Sequence, residues 1–324
     1  NGKEWARSRQ AMTIRDFFNI VELRTKIISV STYLLGTLYV VFQGGDLRPV
    51  PAVLLGVAVL CVDMGTTAFN SFYDYMRDVD SRLHNREPDK VLVHDAVAPG
   101  HALIVSLGLY VIAGMTGVVV ALMSSVWVIV AGALSLVVGF LYNGGPLPIS
   151  RTLLGELFAG GFLGSVLFLV VVLVHTGSVG LRAVIASLPS MFVISSVLTV
   201  NNTCDVTGDR AAGRRTLSVL LGRGVGEALV YLQGSASFGL LLAMTLRGGT
   251  PAAGTKGPVA GVLPMLPLWG AAFVALGFAL AAVTWAGMHR RGYSHETKRE
   301  NMGAILRVVA IYSGTYGTAM LLGI

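Results

Sequence analysis

Two stretches of the chain each contain one asparagine and two aspartates at four-residue spacing. The first motif is Asn70, Asp74 and Asp78, and the second motif is Asn201, Asp205 and Asp209. Residues four positions apart on an α-helix lie one above the other, so each motif places its oxygen-bearing side chains on one helix face. Carboxylates this close repel each other unless a cation or water neutralises them. Mg²⁺ prefers oxygen ligands and completes its shell with water and substrate phosphates, so two such faces would hold a diphosphate through metal ions.

The second motif follows the first at a constant offset of 131 residues at all three positions. This offset indicates a tandem duplication, and we predict four membrane helices in each half with a ninth helix added. The simpler alternative is that both motifs are ordinary solvated helix ends, where Asn and Asp are common. That alternative gives no reason for the same three residue types at one offset. Asp80, Asp89 and Asp95 lack the spacing, and we interpret them as loop charges.

Basic residues follow both motifs and would neutralise diphosphate oxygens that face away from the metal. They are Arg77, Arg82, Arg86 and Lys90 after the first motif, and Arg210, Arg214 and Arg215 after the second. Lys90 and Arg215 are the predicted diphosphate contacts; the alternative is that these residues only set the membrane topology. Tyr142 and Arg151 are candidates for acceptor or diphosphate contacts, and Tyr142 alternatively is an interfacial aromatic. Of the histidines, His295 could face the site.

The composition is that of a membrane protein, with 54% hydrophobic and only 13% charged residues among 324. Soluble proteins have about 45–50% apolar and about 25% charged residues. A helix needs about 20 mostly apolar residues to cross a bilayer. Nine segments come close to this length, near residues 25–43, 51–74, 101–123, 126–143, 153–175, 182–204, 225–246, 262–286 and 303–323. We therefore predict an all-α integral membrane protein with about nine spans and a single domain over residues 1–324.

The distribution of basic residues predicts the orientation of these spans. With a cytosolic N-terminus, nineteen Lys and Arg residues fall in inner segments and four in outer loops, Arg307 lying inside the last span. Cytosolic loops carry the excess of basic residues in membrane proteins, so both motifs are placed at the cytosolic face. The net charge of +7 is spread over short segments between apolar runs and is not concentrated in one patch, which argues against nucleic-acid binding.

Four stretches of the chain carry a family resemblance. They are, in chain order, residues 23–26 (LRTK), 70–80, 141–146 with 154–156, and 201–217 (NNTCDVTGDRAAGRRTL), of which the last is the most specific. Together they resemble the UbiA superfamily of intramembrane prenyltransferases, most strongly the 1,4-dihydroxy-2-naphthoate prenyltransferases of menaquinone biosynthesis and their vertebrate relatives. The chain departs from the pattern at Thr25, where the family often has Pro, and at Cys204, where it often has an Arg.

The resemblance implies nine helices, with the two motifs at the ends of the second and sixth. It implies a Mg²⁺-dependent transfer of an isoprenoid from a prenyl diphosphate to an aromatic acceptor in the lipid bilayer of the cell (inner) membrane. The metal ligands it implies are Asn70, Asp74, Asp78, Asp205 and Asp209, and the substrate contacts are Asn70, Asn201, Arg24, Lys26, Arg77, Lys90, Tyr142, Arg151 and Arg215. The implied acceptor is 1,4-dihydroxy-2-naphthoate, which would lose CO₂ to give a demethylmenaquinone-type product.

Other functions stay open from the sequence. The acceptor could instead be 4-hydroxybenzoate or another phenol. An ion-coupled transporter also uses intramembrane acids, but it would need them near the middle of the bilayer, whereas both motifs lie at one face. A membrane phosphatidyl-group transferase would carry its aspartates in one compact motif. A non-catalytic scaffold would give no reason for two matched acid clusters.

Overall fold

The computed structural model describes residues 12–77, 91–94, 97–246 and 266–323, and this part of the chain is helical, with no β-strand. Within the described residues, the bundle has nine long helices: α1 Leu23–Phe42, α2 Pro49–Met76, α3 Pro99–Met123, α4 Trp127–Asn143, α5 Gly155–Thr176, α6 Leu181–Cys204, α7 Arg223–Leu246, α8 Gly270–Arg291 and α9 Lys298–Leu321. Four shorter helices lie outside them, Ile14–Ile20, Val91–His94, Val206–Ala211 and Leu217–Leu221.

Eight of these helices are long and apolar enough to cross a membrane, and α4 is a shorter apolar helix of 17 residues. At a rise of about 1.5 Å per residue, α4 would still extend over about 25 Å, close to the hydrocarbon thickness. The prediction of an all-α integral membrane protein is therefore confirmed. The number of nine spans and the cytosolic N-terminus stay predictions.

The last two helices differ from their predicted boundaries. Helix α8 begins at Gly270 and continues to Arg291, beyond the predicted end at residue 286, and α9 begins at Lys298, five residues before the predicted start. Hydropathy detects the segment that is compatible with lipid, whereas backbone hydrogen bonds continue a helix through charged residues in water. The predicted residues 262–265 lie outside the described part of the chain. As a consequence, α9 carries charged residues in its first turn.

Helices α5 and α6 are in close contact at two glycines of α5. A Cβ atom on Gly160 would lie 2.4 Å from the carbonyl oxygen of Met191, and one on Gly164 would lie 2.6 Å from the Cα of Met191. Real Cβ atoms do not approach backbone this closely, so only glycine fits. Small residues of this kind let membrane helices pack closely. The close contact fixes α6, and with it the chain that leads into the second motif.

The main core lies where α9 packs against α1, α6 and α8. Tyr312 and Tyr316 of α9 are almost fully buried, and their hydroxyl groups are hydrogen-bonded. The Tyr312 hydroxyl lies 2.8 Å from Ser190 Oγ, and the Tyr316 hydroxyl donates to the Ala186 carbonyl at 3.0 Å. A buried phenol without a partner would be costly, so these bonds fix how α9 is aligned along α6.

A buried ion pair joins α1 and α2. Lys26 Nζ lies 2.6 Å from Asp63 Oδ1 and also donates to Thr67 Oγ1 at 2.7 Å, while Ser29 Oγ donates to Asp63 Oδ2 at 2.6 Å. The two charged side chains are only 4% and 11% exposed. Asp63 lies about two helical turns before Asn70. Lys26, a predicted substrate contact, is therefore committed to this ion pair between helices.

Replacing Lys26 with Met is expected to destabilise the protein by about 3–5 kcal/mol, because the change leaves the Asp63 carboxylate buried without its counter-ion. The measurement is thermal unfolding in detergent. Arg24→Met, which removes an exposed guanidinium from the same turn, should unfold close to the wild type. The double variant Lys26→Met/Asp63→Leu should recover most of the loss. A melting temperature unchanged by Lys26→Met would contradict a structural role for the pair.

Candidate active site

The first motif occupies the last turns of α2. Asn70 and Asp74 are half-buried and lie one turn apart within the helix, which ends at Met76. The ring of the adjacent Tyr73 lies 6.2 Å from that of Phe140 in α4, and the Arg77 guanidinium lies 5.0 Å from the Tyr73 ring centre. Asp78, the third member, lies outside the described residues. The predicted helical placement of Asn70 and Asp74 on one face agrees with this geometry.

The second motif crosses a break in the helix. Helix α6 ends at Cys204, Asp205 has a φ of −96° and a ψ of 10°, and Asp209 lies in the short helix Val206–Ala211. Backbone hydrogen bonds nevertheless continue across the break: Asp205 N donates to Asn201 O at 3.2 Å and Asp209 N donates to Asp205 O at 2.8 Å. The three residues thus keep the spacing of a helix. Asn201 and Asp205 are half-buried, and Asp209 is only 3% exposed.

A tight turn after the second motif folds Arg214 back onto Asp209. Gly213 has a φ of +70°, in the left-handed region that favours glycine. Its N–H donates to Arg210 O at 3.1 Å, and the N–H of Arg214 donates to Asp209 O at 2.8 Å. This is the Schellman pattern that ends many helices. The guanidinium of Arg214 then donates to Asp209 Oδ1 at 2.9 Å, with the Arg214 side chain 10% exposed.

Arg214 also links the two motifs electrostatically. Burial lowers the pKa of Arg214, but the carboxylates of Asp209 and Asp74 outweigh burial and raise it. Burial raises the pKa of Asp209, and the positive charge of Arg214 partly opposes this shift. Asp74 belongs to the first motif and Asp209 to the second, so one buried guanidinium lies within the field of both. The charges of the two motifs, far apart in sequence, thus act on the same guanidinium.

The loop between α4 and α5 holds this site together from one side. Arg77 donates to the carbonyl oxygens of Asn143 at 2.6 Å and Gly145 at 2.7 Å, and so ties the end of α2 to the end of α4. At the other end of the loop, Arg151 donates to the Ala212 carbonyl, and the N–H of Arg215 donates to Arg151 O at 2.8 Å. The loop thus bridges the chain segments that follow both motifs.

These contacts place the predicted basic residues. Arg215 was the predicted diphosphate contact, but its side chain is exposed. The guanidinium that turns inward is that of the preceding residue, Arg214. Burial and the nearby guanidinium groups of Arg214 and Arg77 lower the pKa of Arg151, against the effect of Asp74 and Asp209. The hydrogen bonds of Arg151 to Ala212 and Arg215 place it next to the chain that follows the second motif, and its role as a substrate contact stays a prediction. Arg24 is exposed at the start of α1, and Lys90 lies outside the described residues.

Glu156, Lys298 and His295 also contribute to the site or its support. Glu156 is 2% exposed at the start of α5, and its Oε1 accepts a 2.8 Å hydrogen bond from Asn202 Nδ2, next to the second motif. Lys298 Nζ lies 2.7 Å from Asp205 Oδ2, and His295 Nδ1 lies 3.1 Å from Asp205 Oδ1. Sequence reasoning raised His295 but missed Lys298. Its place in the basic segment 289–299 between two predicted spans was the available signal.

The residues of the two motifs fit a magnesium site that a substrate completes. In the described part of the chain, no three His, Cys, Asp or Glu side chains converge closely enough to hold a metal alone. However, Asp209 Oδ2 is buried and finds no hydrogen-bond partner among the described residues. A buried carboxylate oxygen needs a partner, and Mg²⁺ usually takes only one or two carboxylates together with water and phosphate oxygens. Asp205 and Asp209, together with Asp74 of the first motif, are the oxygen donors that such an ion would use.

An apolar cavity of about 300 Å³ lies between α2, α3, α4 and α5. Tyr142 lines it on α4, one residue before that helix ends near the first motif, and the Tyr142 hydroxyl donates to Gly155 O at 3.3 Å. Leu55 and Val128 line it toward the opposite ends of α2 and α4. The cavity therefore runs from the level of the site into the interior of the bundle. Its size and apolar lining are typical of a pocket for a hydrophobic ligand.

Comparison with known families now adds to this geometry. The sequence pattern of the UbiA prenyltransferase family matches residues 29–306. The chain belongs to this family. It is 32% identical to the 1,4-dihydroxy-2-naphthoate octaprenyltransferase of Bacillus subtilis (strain 168) over 163 residues, which are 50% of this chain and 52% of that protein. It is 27% identical to the UbiA prenyltransferase domain-containing protein 1 of Homo sapiens over 199 residues, 60% of this chain and 57% of that protein.

The chain thus spans about half the length of the curated relatives it matches. Its fold is similar over a longer range to a UbiA homologue of Archaeoglobus fulgidus bound to GPP and Mg²⁺. That similarity has a TM-score of 0.64 and covers 95% of this chain and 99% of the other, at 14% sequence identity. At this level of identity the likeness is one of fold. It supports the arrangement of helices described above.

Proposed function

We propose that this protein transfers an isoprenoid chain from a prenyl diphosphate to an aromatic acceptor, with 1,4-dihydroxy-2-naphthoate as the acceptor. The observation that carries the proposal is the α4–α5 loop, which hydrogen bonds tie to the chain at both aspartate motifs, beside an apolar cavity. Oxygen ligands and a guanidinium suit a metal-bound diphosphate, and the cavity suits an isoprenoid. The names of two similar proteins and the GPP and Mg²⁺ bound to a homologue of the same fold support it.

In this proposal the two motifs bind the diphosphate end of the donor. Asn70, Asp74, Asp78, Asp205 and Asp209 would hold Mg²⁺, and Asn201 would contact the substrate. Mg²⁺, when bound, supplies Lewis-acid stabilisation of the charge that develops on the leaving diphosphate. Arg214 would add positive charge next to the leaving group, as would Lys90, a predicted contact outside the described residues, and a water-poor site makes such charge more effective. The side chains thereby favour cleavage of the allylic C–O bond with its electron pair remaining on the diphosphate.

The acceptor would approach from the side of Tyr142 and Arg151, where the α4–α5 loop is tied to both motifs. A ring carbon bonds to the allylic carbon, and that ring position then loses its carboxylate as CO₂, returning the electron pair to the ring. A phenol such as 4-hydroxybenzoate would lose a proton at that step instead. Holding both reactants within the bundle supplies orientation and excludes water from the allylic cation. We place the site at the cytosolic face of the cell (inner) membrane.

The buried carboxylate of Asp63 bears on the transporter alternative, because an acid near the middle of a span is a feature that a transporter would use. Both Asp63 oxygens are already bonded, one to Lys26 and the other to Ser29. A saturated ion pair of this kind stabilises helix packing and provides no open site for an ion. The motifs at the helix ends therefore remain the better explanation.

The proposal is tested by incubating the purified protein in detergent with Mg²⁺, a panel of prenyl diphosphates and one acceptor at a time. The acceptors are 1,4-dihydroxy-2-naphthoate and 4-hydroxybenzoate, and products are identified by mass. The expected product is a prenylated naphthoquinol whose mass shows that the naphthoate ring has lost one CO₂. Product formed only with 4-hydroxybenzoate would assign the alternative acceptor. The absence of any prenylated product would contradict the proposed activity.

Filling the cavity is expected to shorten the isoprenoid that the protein accepts. Gly132 of α4 lines the cavity, and a Cβ atom added there would meet nothing within 4 Å. Gly132→Phe should therefore place its ring in the cavity without a backbone clash. We expect kcat/KM for long donors to fall by about tenfold or more, a loss of about 1.4 kcal/mol, while short donors change little.

The matched control is Gly108→Phe on α3. Gly108 is exposed, does not line the cavity and likewise has no atom within 4 Å of an added Cβ. The Gly108→Phe variant should show the same preference among prenyl diphosphates of different length as the wild type. If Gly132→Phe lowers the rates with short and long donors equally, the cavity does not hold the isoprenoid chain.

A further inference from the structure

The second motif is contacted by basic side chains from the far end of the chain. Lys298 Nζ lies 2.7 Å from Oδ2 of Asp205, and His295 Nδ1 lies 3.1 Å from Oδ1. Both oxygens of one proposed metal ligand are thus engaged by protein groups. The Lys298 and Asp205 side chains are only 14% and 17% exposed, so the pair is largely shielded from water. Shielded charges interact more strongly than exposed ones.

The backbone that presents Lys298 is held in place by hydrogen bonds. Gly292 ends α8 with a φ of +71°, and its carbonyl accepts from Thr297 Oγ1 at 2.9 Å and from Asn301 Nδ2 at 2.8 Å. The N–H of Ser294 donates to Thr297 Oγ1 at 2.9 Å. Asn301 is fully buried in α9. The loop from Gly292 to Thr297 is therefore fastened to the first turns of α9, and the position of the Lys298 backbone is fixed.

The Lys298 ammonium lies in the field of both acids of the second motif. It is bonded to Asp205, and its charge lowers the pKa of Asp209, where burial and Asp205 act in the opposite direction. In the absence of metal, Lys298 thus relieves the repulsion between these two carboxylates. A metal ion that takes the same Asp205 oxygen would be repelled by the ammonium. The lysine stem is flexible, so its charge can move by several ångström while the backbone stays fixed.

We propose that Lys298 is an exchangeable cation of the second motif: it neutralises Asp205 until Mg²⁺ takes that carboxylate, and it then pairs with the diphosphate of the donor. The inference rests on the proposed function, because it needs Mg²⁺ and a diphosphate at the two motifs. Lys298 thereby adds a substrate contact on α9, a helix that carries neither motif. Asp205 thus has a cation beside it both without and with bound Mg²⁺. When the metal and the donor bind, the displaced ammonium of Lys298 has the diphosphate as its new partner.

The experiment measures thermal unfolding of the full chain in detergent with chelator, with Mg²⁺ alone, and with Mg²⁺ plus inorganic pyrophosphate. Lys298→Met is expected to melt below the wild type in chelator, because Asp205 loses its main counter-ion. The Mg²⁺ concentration for half-maximal stabilisation should fall by about fivefold, as expected when a competing ion pair of about 1 kcal/mol is removed. The further stabilisation by pyrophosphate should be smaller than in the wild type. Arg299→Met, an exposed neighbour, is the matched control and should behave as the wild type.

The outcomes separate the inference from the proposed function. If Mg²⁺ plus pyrophosphate fails to stabilise the wild type, the proposed function is contradicted. If Mg²⁺ plus pyrophosphate stabilises the wild type and Lys298→Met with the same half-maximal Mg²⁺ concentration, Lys298 has no exchange role and the proposed function stands. Should Lys298→Met not fold, Lys298→Arg keeps the charge and can bind Asp205 with two hydrogen bonds. Lys298→Arg should raise the Mg²⁺ concentration that gives half-maximal stabilisation. If that concentration is unchanged, the proposal is overturned.

Discussion

Asp74→Asn is expected to lower turnover by more than about a hundredfold while leaving the yield of folded protein nearly unchanged. The substitution keeps the shape of the side chain but removes one charge from the group of oxygens proposed to hold Mg²⁺ against the diphosphate. A loss of about 3 kcal/mol of transition-state stabilisation is already more than a hundredfold in rate. Asp74 is half-buried on the last turns of α2, and removing one of several close carboxylate charges relieves repulsion in the metal-free protein, so stability should change little. The measurement is turnover at saturating substrates, divided by the amount of monodisperse protein.

Asp205→Asn should lower turnover equally but should also lower the melting temperature. Its carboxylate accepts from Lys298 and lies next to His295, and these groups lose their partner. The matched control is Asp46→Asn, an exposed loop position before the opposite end of α2, where neither property should change. Asp95→Asn, a loop charge outside the described residues, should behave in the same way. Near-native turnover of Asp74→Asn, or a loss that only follows the loss of folded protein, would show that the paired motifs are not the active site.

Chelation of divalent metal is expected to abolish activity. Among the described residues, the proposed ligands of the two motifs offer only oxygen atoms, and the buried guanidinium nearest to them is already paired with Asp209. The charges of a diphosphate therefore need metal ions for neutralisation and for departure of the leaving group. Product formation should fall to background in excess chelator and rise with free Mg²⁺ until it saturates.

Restoring Mg²⁺ to the chelated sample is the control, since recovery of activity shows that the protein stayed folded. Asp74→Asn should need a higher concentration of free Mg²⁺ for half-maximal activity than the wild type, because one ligand charge is missing. Full activity in excess chelator would remove the metal from the mechanism. Loss without recovery would point to unfolding, which a parallel melting curve in chelator detects.

Features that depend on local spacing and composition were predicted from the sequence. The apolar segments gave the all-helical membrane architecture, because an apolar helix of about 20 residues satisfies its own backbone in lipid. The four-residue spacing placed Asn70 and Asp74 on one helix face. In each case the deciding interaction lies within a few residues along the chain.

Other features were decided by contacts between helices. The choice between Arg214 and Arg215 depends on the turn at Gly213, which points Arg214 at Asp209 and leaves Arg215 exposed. The sequence predicts Lys26 as a substrate contact, whereas in the structure Lys26 forms an ion pair with Asp63 of the neighbouring helix. Neither the pairing of Arg214 with Asp209 nor that of Lys26 with Asp63 follows from hydropathy or spacing. Both pairings depend on which acidic side chain the folded chain places next to the basic one.

The sequence by itself thus determined that the chain forms an apolar helical bundle carrying two matched acid motifs, since residue type and helical period decide these properties locally. The tertiary structure alone decided which cations meet those acids. The loop between α4 and α5 joins the ends of both motifs, and α9 brings Lys298 to Asp205. The physical reason is that helical spacing defines the face on which a side chain lies, whereas the group opposite that face is set by how distant helices pack.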